Sequence, residues 1–210
     1  MRIDQDQLIE KLLDLTRQAK DSTNKFKELQ PATVSFRPSP NEWSILECLE
    51  HLNLYGDYYL PEIETQLLKS EAIEETPYFK SGILGDYFVS AVKADNGKKM
   101  KALKYMDPSN LELSITTIDR FLKQLNTLES LLEQSRKVNL SKVKTAVTLS
   151  RFIKIRLGDT LRFLVYHNER HIVQAERVLK KISSEQREDN SLLDSSVNHG
   201  SRSSVIADGV

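Results

Sequence analysis

The 210-residue sequence lacks the features that mark several large classes of protein. It contains one cysteine, Cys48, so no disulfide can form within the chain, which fits a reducing compartment. No apolar run approaches the roughly 20 residues needed to cross a bilayer. The amino-terminal residues also lack the apolar core of a signal peptide. These absences predict a cytoplasmic protein that does not associate with membranes.

The sequence also lacks an excess of charge of either sign and is poor in glycine. Lys and Arg together number 30, as do Asp and Glu, so the formal net charge is zero. A protein that binds nucleic acid usually has a basic excess or a basic face, so nucleic acid is not an expected partner. With only 7 glycines and many Leu, Ile, Glu and Lys residues, the composition favours helices over a sheet protein with many turns.

Four segments show the apolar spacing that is typical of amphipathic helices, and they cover residues 3–29, 41–69, 108–132 and 159–179. Asn41 is the expected N-cap of the second helix, and Pro61 predicts a kink or a break within it. The third helix is expected to start after Asp107, with Pro108 at an early helical position. Four long helices in one domain predict an all-α fold, most simply a four-helix bundle.

The segments between these helices are less regular. Residues 30–41 contain three prolines and are interpreted as a loop. Residues 70–107 form a long irregular connection between helices two and three, which either acts as a lid or carries short helices of its own. In residues 142–155, apolar residues nearly alternate with Lys and Arg, which suggests extended chain; a short helix is the alternative. The folded domain is expected to cover residues 1–183, because the apolar periodicity stops after Ile182, and residues 184–210 are expected to be a disordered tail.

Three of the four histidines fall on the predicted helices, while His199 lies in the expected tail. His167 and His171 are four residues apart, so both project from one face and can supply adjacent ligands to one metal ion. His51 lies on a separate apolar helix. Together they would form three neutral imidazoles with an open fourth position, which is typical of a catalytic divalent-metal site. The alternative is that these are buried histidines without a metal.

Other metal motifs are missing. The residues after His167 are Asn-Glu-Arg, so the His-Glu-x-x-His motif of metalloproteases, with its glutamate as general base, is not present. Nor does a Glu-x-x-His pattern occur on two helices, as it does in di-iron bundles. Glu47 and Glu50 precede His51, and we interpret both as solvated groups or as groups that pair with the helix dipole.

Two segments resemble the DinB-like superfamily. The first is Trp43-Ser-Ile-Leu-Glu-Cys-Leu-Glu-His51-Leu, and the second is Leu161-Arg-Phe-Leu-Val-Tyr-His167-Asn-Glu-Arg-His171-Ile-Val-Gln174. Members of that family have a Trp-x-x-x-Glu-x-x-x-His-type segment on the second helix and a His-x-x-x-His-x-x-Gln segment on the last. The resemblance covers about residues 3–183 and implies an up-up-down-down four-helix bundle.

The resemblance also implies one divalent metal ion, held by His51, His167 and His171. Zn and Ni are the foremost candidates, with Mn and Fe as alternatives, since three imidazoles suit several of these ions. Trp43 would be a packing residue. Gln174 would either support a ligand or make a hydrogen bond on the helix face.

Characterised relatives include thiol-dependent transferases and isomerases that use bacillithiol, mycothiol or glutathione. The resemblance therefore implies a metal-dependent thiol S-transferase or hydrolase acting on a small-molecule substrate, with a metal-bound water or thiolate as the nucleophile. A non-catalytic metal-binding or interaction module and a metal-free helical domain are the other interpretations. Tyr55 and Tyr58 either line the pocket or pack in the core, and the bundle could also form a homodimer.

Overall fold

The computed structural model of the chain describes residues 2–70, 78–93, 102–109 and 111–200, with side chains described as far as Ser184. The helices are α1 (Gln5–Lys27), α2 (Pro31–Ser35), α3 (Ile45–Lys69), α4 (Ile83–Val92), α5 (Thr116–Gln134) and α6 (Leu157–Gly200). The strands are β1 (Arg2–Asp4), β2 (Tyr78–Lys80), β3 (Lys144–Val147) and β4 (Ser150–Arg156). β1 pairs with β2 and β3 pairs with β4, both antiparallel.

The four long helices α1, α3, α5 and α6 form a bundle, as the sequence predicts. α1 and α3 each pack against both α5 and α6, so they occupy opposite corners. Two apolar clusters, one at each end of the bundle, show the helix directions. The first cluster contains residues 8–13 of α1, 55–67 of α3, 128–132 of α5 and 157–166 of α6. The second contains residues 19–26 of α1, 45–52 of α3, 118–125 of α5 and 172–182 of α6.

These clusters show that α1 and α6 run in one direction and α3 and α5 in the other. The order is therefore up-down-down-up, and the up-up-down-down order implied by the resemblance is wrong. After residues 28–44, α3 runs back antiparallel to α1, and α5, although it follows α3 in the sequence, starts at the same end of the bundle as α3.

The start of α3 differs from the expectation. Ser44, and not Asn41, is the N-cap: its hydroxyl accepts a hydrogen bond from the Glu47 backbone N–H at 3.2 Å. The Ser44 backbone N–H in turn donates to the Glu47 carboxylate at 2.9 Å, which completes a capping box. α3 then continues to Lys69 with Pro61 inside it, so the break considered at this proline does not occur.

The third long helix starts at Thr116, later than Pro108 predicts. The Asp107 carboxylate accepts hydrogen bonds from the Ser109 backbone N–H and hydroxyl at 3.1 and 2.6 Å, which stabilises a turn in place of a helix start. The loop predicted for residues 30–41 contains the short helix α2, with Pro31 at its start. Residues 142–155 form most of the β3–β4 hairpin, which confirms the extended alternative.

The long connection carries a helix of its own, α4, as one alternative predicts; residues 71–77 and 94–101 lie outside the described residues. A buried ion pair fastens α4 to α6. Asp159 accepts hydrogen bonds from the Ser81 hydroxyl and, at 2.8 Å, from the Gly82 backbone N–H. Arg162 donates to Asp159 and to Asp86, each at 3.1 Å. These bonds join the start of α4 to the first turn of α6.

The backbone of α6 continues to Gly200, beyond the domain boundary expected at residue 183. Residues 201–210 lie outside the described residues, so the disordered tail stays a prediction. Among the helices that the structure describes, none combines the length and the apolar character needed to cross a membrane.

We predict that Gly85→Ala destabilises the fold although alanine normally favours a helix by about 1 kcal/mol over glycine. A Cβ at Gly85 would lie 2.3–2.5 Å from side-chain atoms of Asp159, which is held in place by its hydrogen bonds. The free energy of unfolding, measured by urea denaturation, should fall by about 1–3 kcal/mol.

Gly82→Ala is the matched control. Its Cβ would come no closer than 3.4 Å to Asp159, and its φ of −84° suits alanine. We expect a change within about 0.5 kcal/mol. Equal stability of the two variants would contradict the tight contact between α4 and α6.

Candidate metal centre

The structure brings together the three histidines that the sequence singles out. His51 comes from α3, while His167 and His171 come from the antiparallel α6, and all three side chains are buried. The Nε2 atom of His167 lies 3.3 Å from Nε2 of His51 and 3.2 Å from Nε2 of His171. The potential ligand atoms of the three residues all lie within 4.8 Å of one another.

These distances suit a divalent ion. With metal–nitrogen bonds of about 2.0–2.1 Å and tetrahedral angles, adjacent ligand nitrogens lie about 3.3–3.4 Å apart. The two Nε2–Nε2 distances of 3.3 and 3.2 Å agree with this spacing. The positions of His51 and His171 relative to His167 are therefore compatible with three ligands of one ion, and all candidate ligand atoms lie within 4.8 Å of one another.

Hydrogen bonds determine the tautomer of two of the rings. Nδ1 of His51 lies 2.6 Å from the Met106 carbonyl oxygen, and Nδ1 of His171 lies 2.9 Å from Oε1 of Gln174. Both partners are oxygens that only accept, so each Nδ1 carries the proton and each Nε2 presents a lone pair. Among the described residues, Nδ1 of His167 has no hydrogen-bond partner. Gln174 thus makes a hydrogen bond on the face of α6 and through it orients the His171 ring, so the contact fits both of its expected roles.

Burial keeps the imidazoles neutral. It lowers the pKa of His51, against the opposing effect of the Met106 carbonyl. Burial, followed by the neighbouring rings of His171 and His51, lowers the pKa of His167 well below 6.5. The pKa of His171 is lowered in the same way, by burial and then by His51. Neutral imidazole is the form that binds a metal ion, so no proton has to leave at neutral pH.

The carbonyl that orients His51 is held by contacts with the segment before α3. Met106 ends a 3₁₀ turn over Lys104–Met106. Three residues later, the Ser109 hydroxyl accepts a hydrogen bond from Trp43 Nε1 at 3.1 Å, and its carbonyl accepts one from Arg37 at 3.0 Å. Trp43 is therefore more than the packing residue that the resemblance implies, because it anchors this segment and also lies 4.9 Å from the His51 ring.

The histidines form part of the wall of a cavity of about 620 Å³. Aliphatic residues and five aromatic rings line the remaining wall, the rings being those of Trp43, Tyr55, Tyr59, Phe88 and Phe163. Residues of α4, which lies between α3 and α5, and of the β3–β4 hairpin, which lies between α5 and α6, also line the cavity. Both of these connections between long helices therefore contribute to its wall. This volume is in the range of small-molecule sites.

The two candidate tyrosines have different roles. Tyr55 lines the cavity, with its ring 4.4 Å from the His167 ring, and burial raises its pKa to about 12, so the phenol stays protonated. Tyr58 is not among the lining residues, and its hydroxyl donates to the Val147 carbonyl at 3.0 Å. Tyr59 lines the cavity and was missed, although its position four residues after Tyr55 places both tyrosines on one face of α3.

Other reactive side chains near His51 have structural roles. Glu47 caps α3 and pairs with Arg37, as the dipole-pairing alternative expects. Glu50 is buried and pairs with Arg120 at 2.8 Å, so neither glutamate is solvated. Cys48 is fully buried in the second apolar cluster, and burial raises the pKa of its thiol, so it offers no accessible thiolate to the cavity.

Comparison with solved structures gives a chain described as "YfiT from Bacillus subtilis is a probable metal-dependent hydrolase with an unusual four-helix bundle topology". The two chains are 14% identical, the match covers 85% of this chain and 87% of that one, and the TM-score is 0.49. No curated protein matches. The family model described as the DinB superfamily matches residues 14–175, a region that includes all three clustered histidines. Because this match spans well over half of its length, the chain belongs to the DinB superfamily.

Proposed function

We propose that His51, His167 and His171 hold one divalent metal ion, and that the protein is a metal-dependent thiol S-transferase or hydrolase acting on a small molecule. The observation that carries this proposal is the convergence of three buried Nε2 atoms, with two spacings of 3.3 and 3.2 Å, at the wall of the cavity.

A metal-free hydrogen-bonded cluster explains this geometry less well. Nε2 of His51 and Nε2 of His171 both present lone pairs toward Nε2 of His167. A neutral His167 has one proton on its ring and can donate it to at most one of them. At least one lone pair would therefore face another acceptor in a buried site, which costs free energy. A cation at the common point satisfies all three nitrogens.

A bound divalent ion would supply Lewis acidity; it would lower the pKa of a coordinated water to about 7, or would deprotonate a coordinated thiol. Zn and Ni are the foremost candidates, with Mn and Fe as alternatives. The chain's own residues prepare the site. The Met106 carbonyl and Gln174 orient the rings, and Tyr55 and Phe163 exclude water beside His167.

The charges around the cavity favour a thiol as the nucleophile over water. Among the lining residues that the structure describes, the only carboxylate is Glu42, and both of its oxygens bind Lys181, at 2.8 and 2.7 Å. Within the described part of the chain, no free carboxylate base therefore lies beside the histidines to take a proton from water. A thiol, with an ordinary pKa of about 8.5, loses its proton far more easily than water does.

We predict that the wild-type chain, purified without an affinity tag, contains about one divalent ion per chain by elemental analysis. His51→Ala and His167→Ala should each lose it, because two imidazoles hold the ion much less tightly than three. His199→Ala is the control, since it removes the one histidine outside the cluster. Wild-type protein that stays metal-free even after incubation with Zn and Ni would overturn the proposal.

We predict that Gln174→Leu lowers zinc affinity by about 10–100-fold, because the hydrogen bond to His171 orients a ligand ring. Gln174→Glu keeps the acceptor oxygen and should bind zinc at least as tightly as wild type. Competition with a zinc indicator dye measures both affinities. Equal weakening in the two variants would indicate that Gln174 contributes packing and not orientation.

Turnover tests the enzyme assignment. Metal-loaded wild type should accelerate the reaction of 1-chloro-2,4-dinitrobenzene with glutathione or the hydrolysis of p-nitrophenyl acetate. His171→Ala should reduce either rate to that of the uncatalysed reaction while its circular dichroism spectrum keeps the wild-type helix content. Stoichiometric metal without turnover in either assay would favour the non-catalytic metal-binding module.

A further inference from the structure

The cavity is locally basic although the chain has no net charge. Three basic residues of α6 line it, and they are Arg170, Arg177 and Lys181. Their spacing places them along the same side of α6 as His167 and His171. The reactive end and the basic part of the cavity therefore share one rigid helix.

The three basic residues differ in how they are used by the fold. Lys181 is neutralised by both oxygens of Glu42. Arg170 donates to the Lys93 carbonyl at 3.2 Å and has a further interaction. Arg177 is exposed, and within the described part of the chain it has no hydrogen-bond or ion-pair partner. Among the lining residues that the structure describes, Arg177 is thus the cation without a partner that can bind a ligand.

We propose that Arg177 binds an anionic group, a carboxylate or a phosphate, of the substrate whose reactive end lies at the three histidines. This inference rests on the proposed function, because it assumes that the cavity receives the substrate. A guanidinium presents paired N–H donors that match two oxygens of either anion.

The helix also determines how far apart the two ends of the substrate lie. Arg177 follows His171 by six residues, which at 1.5 Å per residue is about 9 Å along the axis of α6. Between them along α6 the cavity is lined by Val173 and by Gln174, whose amide oxygen is hydrogen-bonded to His171, and the Trp43 ring lies 5.8 Å from the His171 ring. The expected ligand is therefore a small molecule with an anionic end, an apolar middle part and a reactive group about 9 Å from the anion.

The apolar lining strengthens this recognition. A guanidinium that is fully surrounded by water gains little from an ion pair. At the border of an apolar cavity, part of the water around the pair is displaced by the ligand, and Arg170 adds a second positive charge nearby. A charge-assisted hydrogen bond in such a place is expected to favour the charged ligand about tenfold over a neutral one of the same length.

The test uses octanoate, octyl phosphate and 1-octanol as matched probes, and Trp43 as the reporter. Trp43 is the only tryptophan and lines the cavity, so its fluorescence should change when a probe binds. Titrations are run on the full chain without metal and loaded with zinc. The metal-free arm is needed because a carboxylate or a phosphate can itself bind a divalent ion. The variants are Arg177→Gln and, as the control, Lys180→Gln, which removes the same charge from an exposed position outside the cavity.

We expect at least one anion to bind metal-free wild type and Lys180→Gln about tenfold more tightly than 1-octanol. In Arg177→Gln the anion should bind no better than the alcohol, while the affinity for the alcohol stays unchanged. The tighter of octanoate and octyl phosphate identifies the anion. Equal affinity for anions and alcohol in wild type, selectivity that persists in Arg177→Gln, or no binding of either anion would overturn the inference.

The outcomes separate this inference from the proposed function. Selectivity in the metal-free arm supports the anion site even if no metal-dependent turnover is found. Conversely, metal-dependent turnover of a neutral electrophile, without any preference for anionic probes, keeps the function and rejects the anion site.

Discussion

The site depends on the antiparallel packing of α3 against α6. This packing places one histidine of α3 opposite two histidines of α6, where all three side chains are buried at the wall of the cavity. Because imidazoles that are buried and close together lose most of their tendency to bind protons, the rings stay neutral. The free energy of helix packing thus maintains a set of lone pairs that would not gather in an unfolded or loosely packed chain.

The walls of the cavity are fastened to the same two helices that carry the histidines. Asp159 and Arg162, at the start of α6, bind the start of α4. Tyr58 and Tyr59 on α3 form hydrogen bonds with the β3–β4 hairpin. Burial of the Asp159 carboxylate without partners would cost free energy. Three groups donate hydrogen bonds to it, namely the Ser81 hydroxyl, the Gly82 backbone N–H and the Arg162 guanidinium. Movement of α3 relative to α6 would therefore change the histidine cluster and its enclosure together.

Apolar periodicity predicted the four long helices, among them α3 and α6, which carry the histidines. It did not predict the directions of the helices. Periodicity shows which face of a helix is buried, and it carries no information on which ends lie together. The histidine cluster nevertheless follows, because α3 and α6 are antiparallel in both the implied and the observed order. The Met106 carbonyl could not be predicted, since a backbone oxygen has no residue-specific signal. Ser44 could have been recognised as the N-cap from Glu47 three residues later.

Charge adds a constraint that the aromatic and apolar walls do not. A cavity lined by rings alone would accept many small apolar molecules with similar affinity. Instead, α6 carries two chemically different groups in the cavity wall, the histidines and Arg177. The spacing of their backbone positions along the helix axis is fixed. Shifting either group by one residue would turn its side chain by about 100° around the helix axis. In the proposed mode of binding, with one end of the ligand at the histidines and the other at Arg177, α6 would select a ligand by length as well as by charge in this cavity of about 620 Å³.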